Sequence, residues 1–445
     1  MKRALSVQLS VLTILLTTLL TGCASQITYE EHTDAGSKYI LANNITIIVK
    51  ENPDAGLAAI DVLIRRSLAA DGDLPGLGHF TTRLLLAGTE KRSRQDILSE
   101  IESLGGTIKA RTFAEYTEIL IDIPSNHIDT AIDILSDVLI HSTFPPEEIE
   151  KERTLILSEI ASKNDQPAVT VEELFMKTMF EGHPYQHPID GYAETVSRIS
   201  RDDIVNHYRT WYVPNLIVIG AAGNVRKDTL IPTLGNALNK MQPRPTPPEV
   251  IPAPPRTEPK TSTRHMDLES FYLQQGYQLP PATHPDFIKL RLANAVLGSG
   301  SGSRLFYELR DKRALAYSVY SIAPSVRSGG FLKIAMISRP AVINDSLAGI
   351  TEQIERIKTE QASEDEIAIV KQKIRGFFFL DHQKTTDQAN YLALYESVGL
   401  GYHYDVEYPE RLSAVTAEEM QDAAQRYLVN PQLAIVGPFE EATIS

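Results

Sequence analysis

Hydrophobic residues along this chain follow two rhythms, and each change of rhythm marks an element. Ile45-Thr46-Ile47-Ile48-Val49 is a β-branched run that predicts a strand, and Ala58 to Ile64 predicts another. The period then lengthens. Ser93-Arg94-Gln95-Asp96 has the chemistry of a capped helix start, with Ile97, Ile101 and Leu104 following at helical spacing. Gly105-Gly106 ends that helix. Thr107 to Ile123 alternates in strand fashion, and Ile128, Ile132, Leu135 and Leu139 mark another amphipathic helix. Pro145-Pro146 opens a further helix that carries Glu152 and Glu159. Seven residues are two helical turns, so those carboxylates share a face.

Residues 242–262 interrupt the rhythm. Pro243, Pro245, Pro247, Pro248, Pro252, Pro254, Pro255 and Pro259 make this stretch stiff and extended, which reads as a linker. It separates a first half, 24–241, from a second, 263–445. The halves end alike. Ser200-Arg201-Asp202-Asp203 starts a helix leading to Tyr212-Val213-Pro214-Asn215 and a strand from Leu216. Thr416-Ala417-Glu418-Glu419 starts one leading to Tyr427-Leu428-Val429-Asn430-Pro431 and a strand from Leu433. The same order and cap chemistry argue for duplication. Residues 24 to about 38 read as a polar tether.

The first 23 residues stand apart. Lys2 and Arg3 precede the apolar run Val11 to Leu20, which is too short for an ordinary membrane span. Leu20-Thr21-Gly22-Cys23 resembles a bacterial lipobox, and Cys23 is the only cysteine. The expectation is a signal peptide over 1–23 and lipid attachment at Cys23. No Asp follows the cysteine, so the lipoprotein sorting rule implies the periplasmic face of the outer membrane. An acylated Cys23 leaves no thiol for a disulfide or a metal. The length of 445 residues exceeds one compact core. A net charge of -14 and the lack of a basic run argue against nucleic acid as a partner.

The candidate chemistry begins at His79-Phe80-Thr81-Thr82-Arg83. The inverted zinc motif H-x-x-E-H places two His ligands and a Glu base on one helix. Here His79 stands at the first ligand position, Thr82 replaces the base, and Arg83 replaces the second ligand. Thr is no base near neutral pH, and a permanent cation repels a divalent metal. Gly76-Leu77-Gly78-His79-Phe80, Leu84 to Thr89, Arg92-Ser93, and Glu152-Arg153 with Leu157 to Ile160 together resemble the pitrilysin/insulinase family of zinc metallopeptidases, in its processing-peptidase-like branch. The likeness extends through His183-Pro184-Tyr185 and Gly191 and covers essentially the whole mature chain. It implies an α+β fold of two homologous α/β sandwich halves, each a mixed sheet covered by helices, forming a cupped half-shell.

The resemblance also implies roles. Glu159 falls where the family's third zinc ligand lies, and Glu152 where a supporting acid lies. With Arg83 in place no metal is expected, and His79 and Glu159 are vestigial positions. The alternative to weak metal binding is an internal salt bridge from Arg83 to Glu159 or Glu152. Gly298-Ser299-Gly300-Ser301-Gly302-Ser303-Arg304-Leu305-Phe306, Glu308-Leu309-Arg310 and Leu315-Ala316-Tyr317-Ser318 resemble the family's second-half signature. There an Arg and a Tyr, here Arg310 and Tyr317, bind substrate and the tetrahedral oxyanion across the cavity. A guanidinium and a phenol are both donors suited to an oxygen gaining charge. Without that setting they read as a surface ion pair and core filler. The Gly/Ser run lacks the Lys and the phase of a phosphate loop.

Gly106 to Thr112 corresponds to the family's peptide-pairing edge strand, with Ala110 and Thr112 fitting the pattern and Lys109 departing from it. The other reading is an edge strand guarded by Lys109 and Arg111. His183 and His187 are four apart, but Pro184 and Pro188 break any helix there. The expected function is a non-catalytic subunit of a heterodimeric zinc peptidase. It binds no cofactor itself and lends Arg310 and Tyr317 to a sister chain with an intact H-x-x-E-H, which holds the zinc and cleaves unfolded peptides. An envelope scaffold or peptide-binding lipoprotein is the alternative. A self-sufficient metallopeptidase conflicts with Thr82 and Arg83.

Overall fold

Two mixed sheets, each flanked by helices, account for the chain in the computed structural model, which describes residues 27–163, 165–248 and 251–439. Cys23 and the leader lie outside the described residues. The first sheet holds β1 (Ile27–Thr33), β2 (Gly36–Leu41), β3 (Thr46–Glu51), β4 (Leu57–Arg65), β5 (Thr107–Thr112), β6 (Tyr116–Pro124) and β7 (Ile217–Gly223), in the order β1-β2-β3-β7-β4-β6-β5. The second holds β8 (Lys260–His265), β9 (Phe271–Leu279), β10 (Ser318–Ile322), β11 (Ser325–Val326), β12 (Gly329–Ser338) and β13 (Gln432–Gly437). Its order is β10-β12-β9-β13-β8, with β11 on β12.

Without β1 and β2, the first order maps strand for strand onto the second. The parallel pair β3/β7 answers the parallel pair β8/β13, and the other pairs are antiparallel in both. A duplicated unit explains this. The first half's helices are α1 (Leu77–Leu84), α2 (Arg94–Ser103), α3 (Ile128–His141), α4 (Pro146–Lys163), α5 (Pro167–Met179), α6 (Ala193–Arg198), α7 (Arg201–Trp211) and α8 (Lys227–Leu238). The second half's are α9 (Phe287–Gly298), α10 (Ile343–Thr359), α11 (Glu364–Asp381), α12 (Thr385–Ser397), α13 (Tyr404–Ala414) and α14 (Ala417–Tyr427). The capping boxes read from Ser93/Asp96, Ser200/Asp203 and Thr416/Glu419 all form.

Three expectations are corrected. The polar tether is, from Ile27 onward, the outer hairpin of the first sheet. β1 buries almost nothing, so its polar sequence carries no strand signal. The alternating stretch from Thr107 is two strands folded back at Phe113–Glu115. Strand pairing begins at Lys260, inside the stretch read as linker.

The halves are joined by an exchange of helices. α12, from the second half, packs on β7 and β4 of the first sheet; α5, from the first half, packs on β13 and β9 of the second. Each sheet is thereby covered on both faces, which is why every residue of β7 is buried. The approach is close enough to need glycine. A Cβ on Gly220 would lie 1.9 Å from Ala389 O on α12, and one on Gly276 would lie 2.5 Å from the Phe175 ring on α5. Polar pins fix the register. Asn390 Nδ2 on α12 donates to Asp61 Oδ2 (2.8 Å) and Glu118 Oε1 (3.1 Å) beneath it. Burial, and then the Glu118 charge, hold the Asp61 carboxyl well above the usual carboxylate range.

Gly220→Ala is expected to cost about 2–3 kcal/mol in urea unfolding, because a carbonyl must move. Gly376→Ala, in the exposed part of α11 with nothing near its virtual Cβ, is expected to stabilise by about 0.5–1 kcal/mol. Asp61 supplies a pH test. Its folded pKa lies above the unfolded value, so rising pH ionises the unfolded chain first and lowers stability. Asp61→Asn keeps the acceptor for Asn390, so its melting temperature should exceed the wild type's at pH 8 and converge with it near pH 4.

Candidate functional site

The degenerate motif is built on a helix whose start is fixed from below. Gly76, at φ +98°, precedes α1 so tightly that a Cβ would meet Asp190 O at 2.7 Å. The buried Asp71 carboxylate accepts the Gly76 and Gly78 N–H groups, each at 3.0 Å, and so caps α1 from a neighbouring turn. Arg66, fully buried, lies 3.5 Å from Asp71. This anchoring sets the rotation of α1 and hence the directions of His79, Thr82 and Arg83.

Arg83 sits between α1 and α4. Its Nε and Nη2 reach Glu152 Oε1 at 2.7 and 2.6 Å, and its Nη1 donates to both Glu159 oxygens at 3.2 Å. Arg94 Nη2 donates to the other Glu152 oxygen at 3.2 Å. The expected internal salt bridge is therefore present, and it engages both acids. Glu152 is buried, whereas Glu159 keeps about half of its side-chain exposure (47%). Both ring nitrogens of His79 are buried without a hydrogen-bond partner. Burial, and then the Arg83 charge, push the His79 pKa down to about 4, with Asp190 and Glu159 opposing. Thr82 is buried, and its hydroxyl donates to Gly78 O at 2.8 Å. It also lies 3.1 Å from Thr117 Oγ1 and 3.2 Å from Tyr212 OH. The donor set does not fit zinc. A guanidinium takes the carboxylate lone pairs a metal would need, and no carboxylate stands at the base position.

The other candidates lie elsewhere. Arg310 is exposed on a π-helical segment, Phe306–Lys312, with its guanidinium 4.6 Å from the Phe306 ring centroid. The nearby Glu308 is already taken by Lys312, Arg313 and Arg356, and among the described residues Arg310 has no carboxylate partner. Tyr317 N donates to Ile337 O (2.9 Å), extending β10 along β12, while its side chain is 58% exposed. The surface ion pair and the core-filler reading both fail on this geometry. β5 ends the first sheet and, among the described residues, pairs only with β6, which leaves its outer edge open there. Ala110 lies on the face packed toward the first core, with Thr112 in the same alternation. Arg111 is bound to the buried Glu118, which leaves Lys109 as the edge's uncommitted cation. In the Gly/Ser loop, Lys373 from α11 donates to Ser299 O and pins the turn rather than facing an open cradle. His183 Nε2 bonds Ile251 O at 2.7 Å, and His187 Nδ1 meets Tyr192 OH at 3.1 Å, so the two rings serve separate contacts.

Sequence reasoning missed Arg94, Asp71 and the π-helical segment. Arg94 directly follows the motif's Arg92-Ser93, and its reach to Glu148 and Glu152, one turn apart on α4, is a long-range contact that only the structure reveals. Arg83→Met is expected to cost about 1–2 kcal/mol, less than a fully buried pair because Arg94 remains and Arg83 is partly exposed. It should also raise the His79 pKa, measured by NMR titration of the imidazole. The depressed pKa means that His79 favours the fold above about pH 6.5, and that this contribution is lost as the pH falls toward 4.

Comparison with known proteins gives the family. Residues 46–191 match the model for the insulinase family (peptidase family M16), and residues 198–374 match that for the peptidase M16 inactive domain. An uncharacterized zinc protease of Streptomyces coelicolor is 30% identical over 381 residues, 84% of this chain and 83% of that one. A crystal structure of a peptidase M16 inactive domain from Pseudomonas fluorescens superposes with a TM-score of 0.85 at 18% identity, covering 91% of this chain and 98% of that one. A protease from Helicobacter pylori gives 0.85 at 17% identity, covering 93% and 100%. The chain therefore belongs to the insulinase family of peptidases, M16, and is a member in which an arginine stands where the zinc motif has its second histidine.

Proposed function

We propose that this chain is the non-catalytic subunit of a two-chain zinc peptidase, held through a lipid on Cys23 at the periplasmic face of the outer membrane. The observation that carries the proposal is a contrast. Arg83 binds Glu152 and Glu159 at the expected metal position, while Arg310 and Tyr317 are exposed, with no side-chain hydrogen-bond or ion-pair partner among the described residues. A guanidinium and a phenol whose side chains have no hydrogen-bond partner among the described residues are free to donate. In this reading they meet the carbonyl oxygen of a peptide bound by a sister chain with an intact H-x-x-E-H, and strengthen their hydrogen bonds as that oxygen gains charge. The zinc and the base belong to the sister chain. Ala110 and Thr112 sit on an open edge strand suited to pairing with an extended, unfolded peptide.

Copurification of the lipoprotein from detergent-solubilised membranes should return a family member carrying H-x-x-E-H in stoichiometric amount. Adding this chain to that partner should raise peptidase activity, and Arg310→Ala or Tyr317→Phe should each reduce the gain by about a hundredfold. Mutants that stimulate like the wild type would sink the proposal. Recovery of this chain alone would favour the scaffold reading.

A further inference from the structure

A cavity lies between the halves, and neither Arg310 nor Tyr317 lines it. It has a volume of about 440 Å³ and is walled by α5, the segment Tyr185–Asp190 and the second half's turn Pro324–Phe331. Its lining is apolar at Val169, Met176, Phe180, Ile189, Val326 and Phe331. That size and character suit a small ligand group.

The charges on its wall are unbalanced. Glu172 binds Lys333 and accepts from Gln274 Nε2 at 2.9 Å. Asp190 binds Lys163. Among the described residues Glu173 has neither an ion pair nor a side-chain hydrogen bond. Burial, and then the charge of Asp190, raise its pKa, while Lys163 and the exposed Arg264 oppose only in part. His187, also on the wall, is held neutral by burial, so it supplies no compensating cation. An apolar chamber with one half-buried carboxylate that no cation pairs directly, the lining Lys163 being held by Asp190, is complementary to an apolar group that carries its own positive charge.

We infer that this cavity binds a primary ammonium attached to an aromatic or bulky aliphatic body, with Glu173 receiving the ammonium and the Met176–Phe331 walls enclosing the body. The site belongs to this chain alone and does not depend on the heterodimer reading, so either can fail without the other. Two sources share this chemistry, a free amine and the N-terminal residue of a peptide.

Calorimetric titration of the purified protein tests it. Phenethylamine represents the free amine and Phe-Gly-Gly the peptide terminus. 2-Phenylethanol and N-acetyl-Phe-Gly-Gly are the uncharged controls. At least one amine should bind about tenfold tighter than its control, and which one does so names the source. Glu173→Gln should remove that preference. Met176→Trp should fill the cavity and abolish binding, with thermal melting confirming the fold; if it does not fold, Glu173→Gln decides alone. Equal binding of amine and control, an unchanged preference in Glu173→Gln, or no saturable binding by either amine would overturn the inference.

Discussion

The exchange of α5 and α12 between the halves is the constraint on which the rest of the structure depends. Neither sheet has a self-sufficient second face. Val171, Phe175 and Met179 of α5 bury Ala434 and Val436 of the second sheet, and Leu392 and Ala393 of α12 bury Leu63 and Val218 of the first. Removing either helix would expose a row of apolar strand residues, a loss on the scale that unfolds a domain. The halves are therefore one cooperative body despite having separate main cores. Glu115 shows the same coupling in polar form: its carboxylate accepts the Arg327 and Ser328 N–H groups of the second half at 2.7 and 2.8 Å. This latch holds the turn at 324–331 against the first half and so shapes the cavity between them.

The zinc motif's replacement follows an electrostatic logic. α4 presents Glu152 and Glu159 to α1, and two carboxylates on one helix face need positive charge opposite them. A metal meets that need with one ion. Here Arg83 meets it with a planar fork that spans both acids, and Arg94 completes Glu152 from α2. The α1–α4 contact thus survives without a metal. His79, its pKa lowered by burial and by the Arg83 charge, sits neutral beside the guanidinium instead of competing with it. Thr82 meanwhile joins the buried hydroxyls of Thr117 and Tyr212, so the base position has become part of the core.

Local chemistry was the legible part of this fold. Ser93, Ser200 and Thr416 announced their helices because a cap is decided within four residues. The pairing of Arg83 with the acids of α4 was legible for a related reason, since helical spacing put Glu152 and Glu159 on one face. Long-range events were not. Nothing in α5 or α12 says which sheet it will cover, because an apolar stripe has no address. β1 was misread as a tether because an edge strand that buries nothing needs no apolar alternation. The turn at Phe113–Glu115 shows in the sequence only as a change of phase, from Ile108 and Ala110 to Ile119, Ile121 and Ile123, and Glu115 is buried there by partners 70 to 213 residues away, Tyr185, Arg327 and Ser328.

The two ends of the candidate chemistry differ in a way that stability alone does not explain. Where the chain closed its metal position, it satisfied the charges left behind: Glu152, Glu159 and Arg83 all have partners. A chain selected only to fold would treat the second half alike, burying Tyr317 or pairing Arg310 with an acid. Instead Glu308, on the same π-helical segment, is shared among Lys312, Arg313 and Arg356 and passes Arg310 by. π-Helical segments are themselves less favourable than α-helix and gather at functional sites. Tyr317, just before β10, likewise stands largely exposed. The acids beside the motif are thus neutralised within the chain while the donors of the second-half signature face outward, and that contrast is what the two-chain proposal rests on.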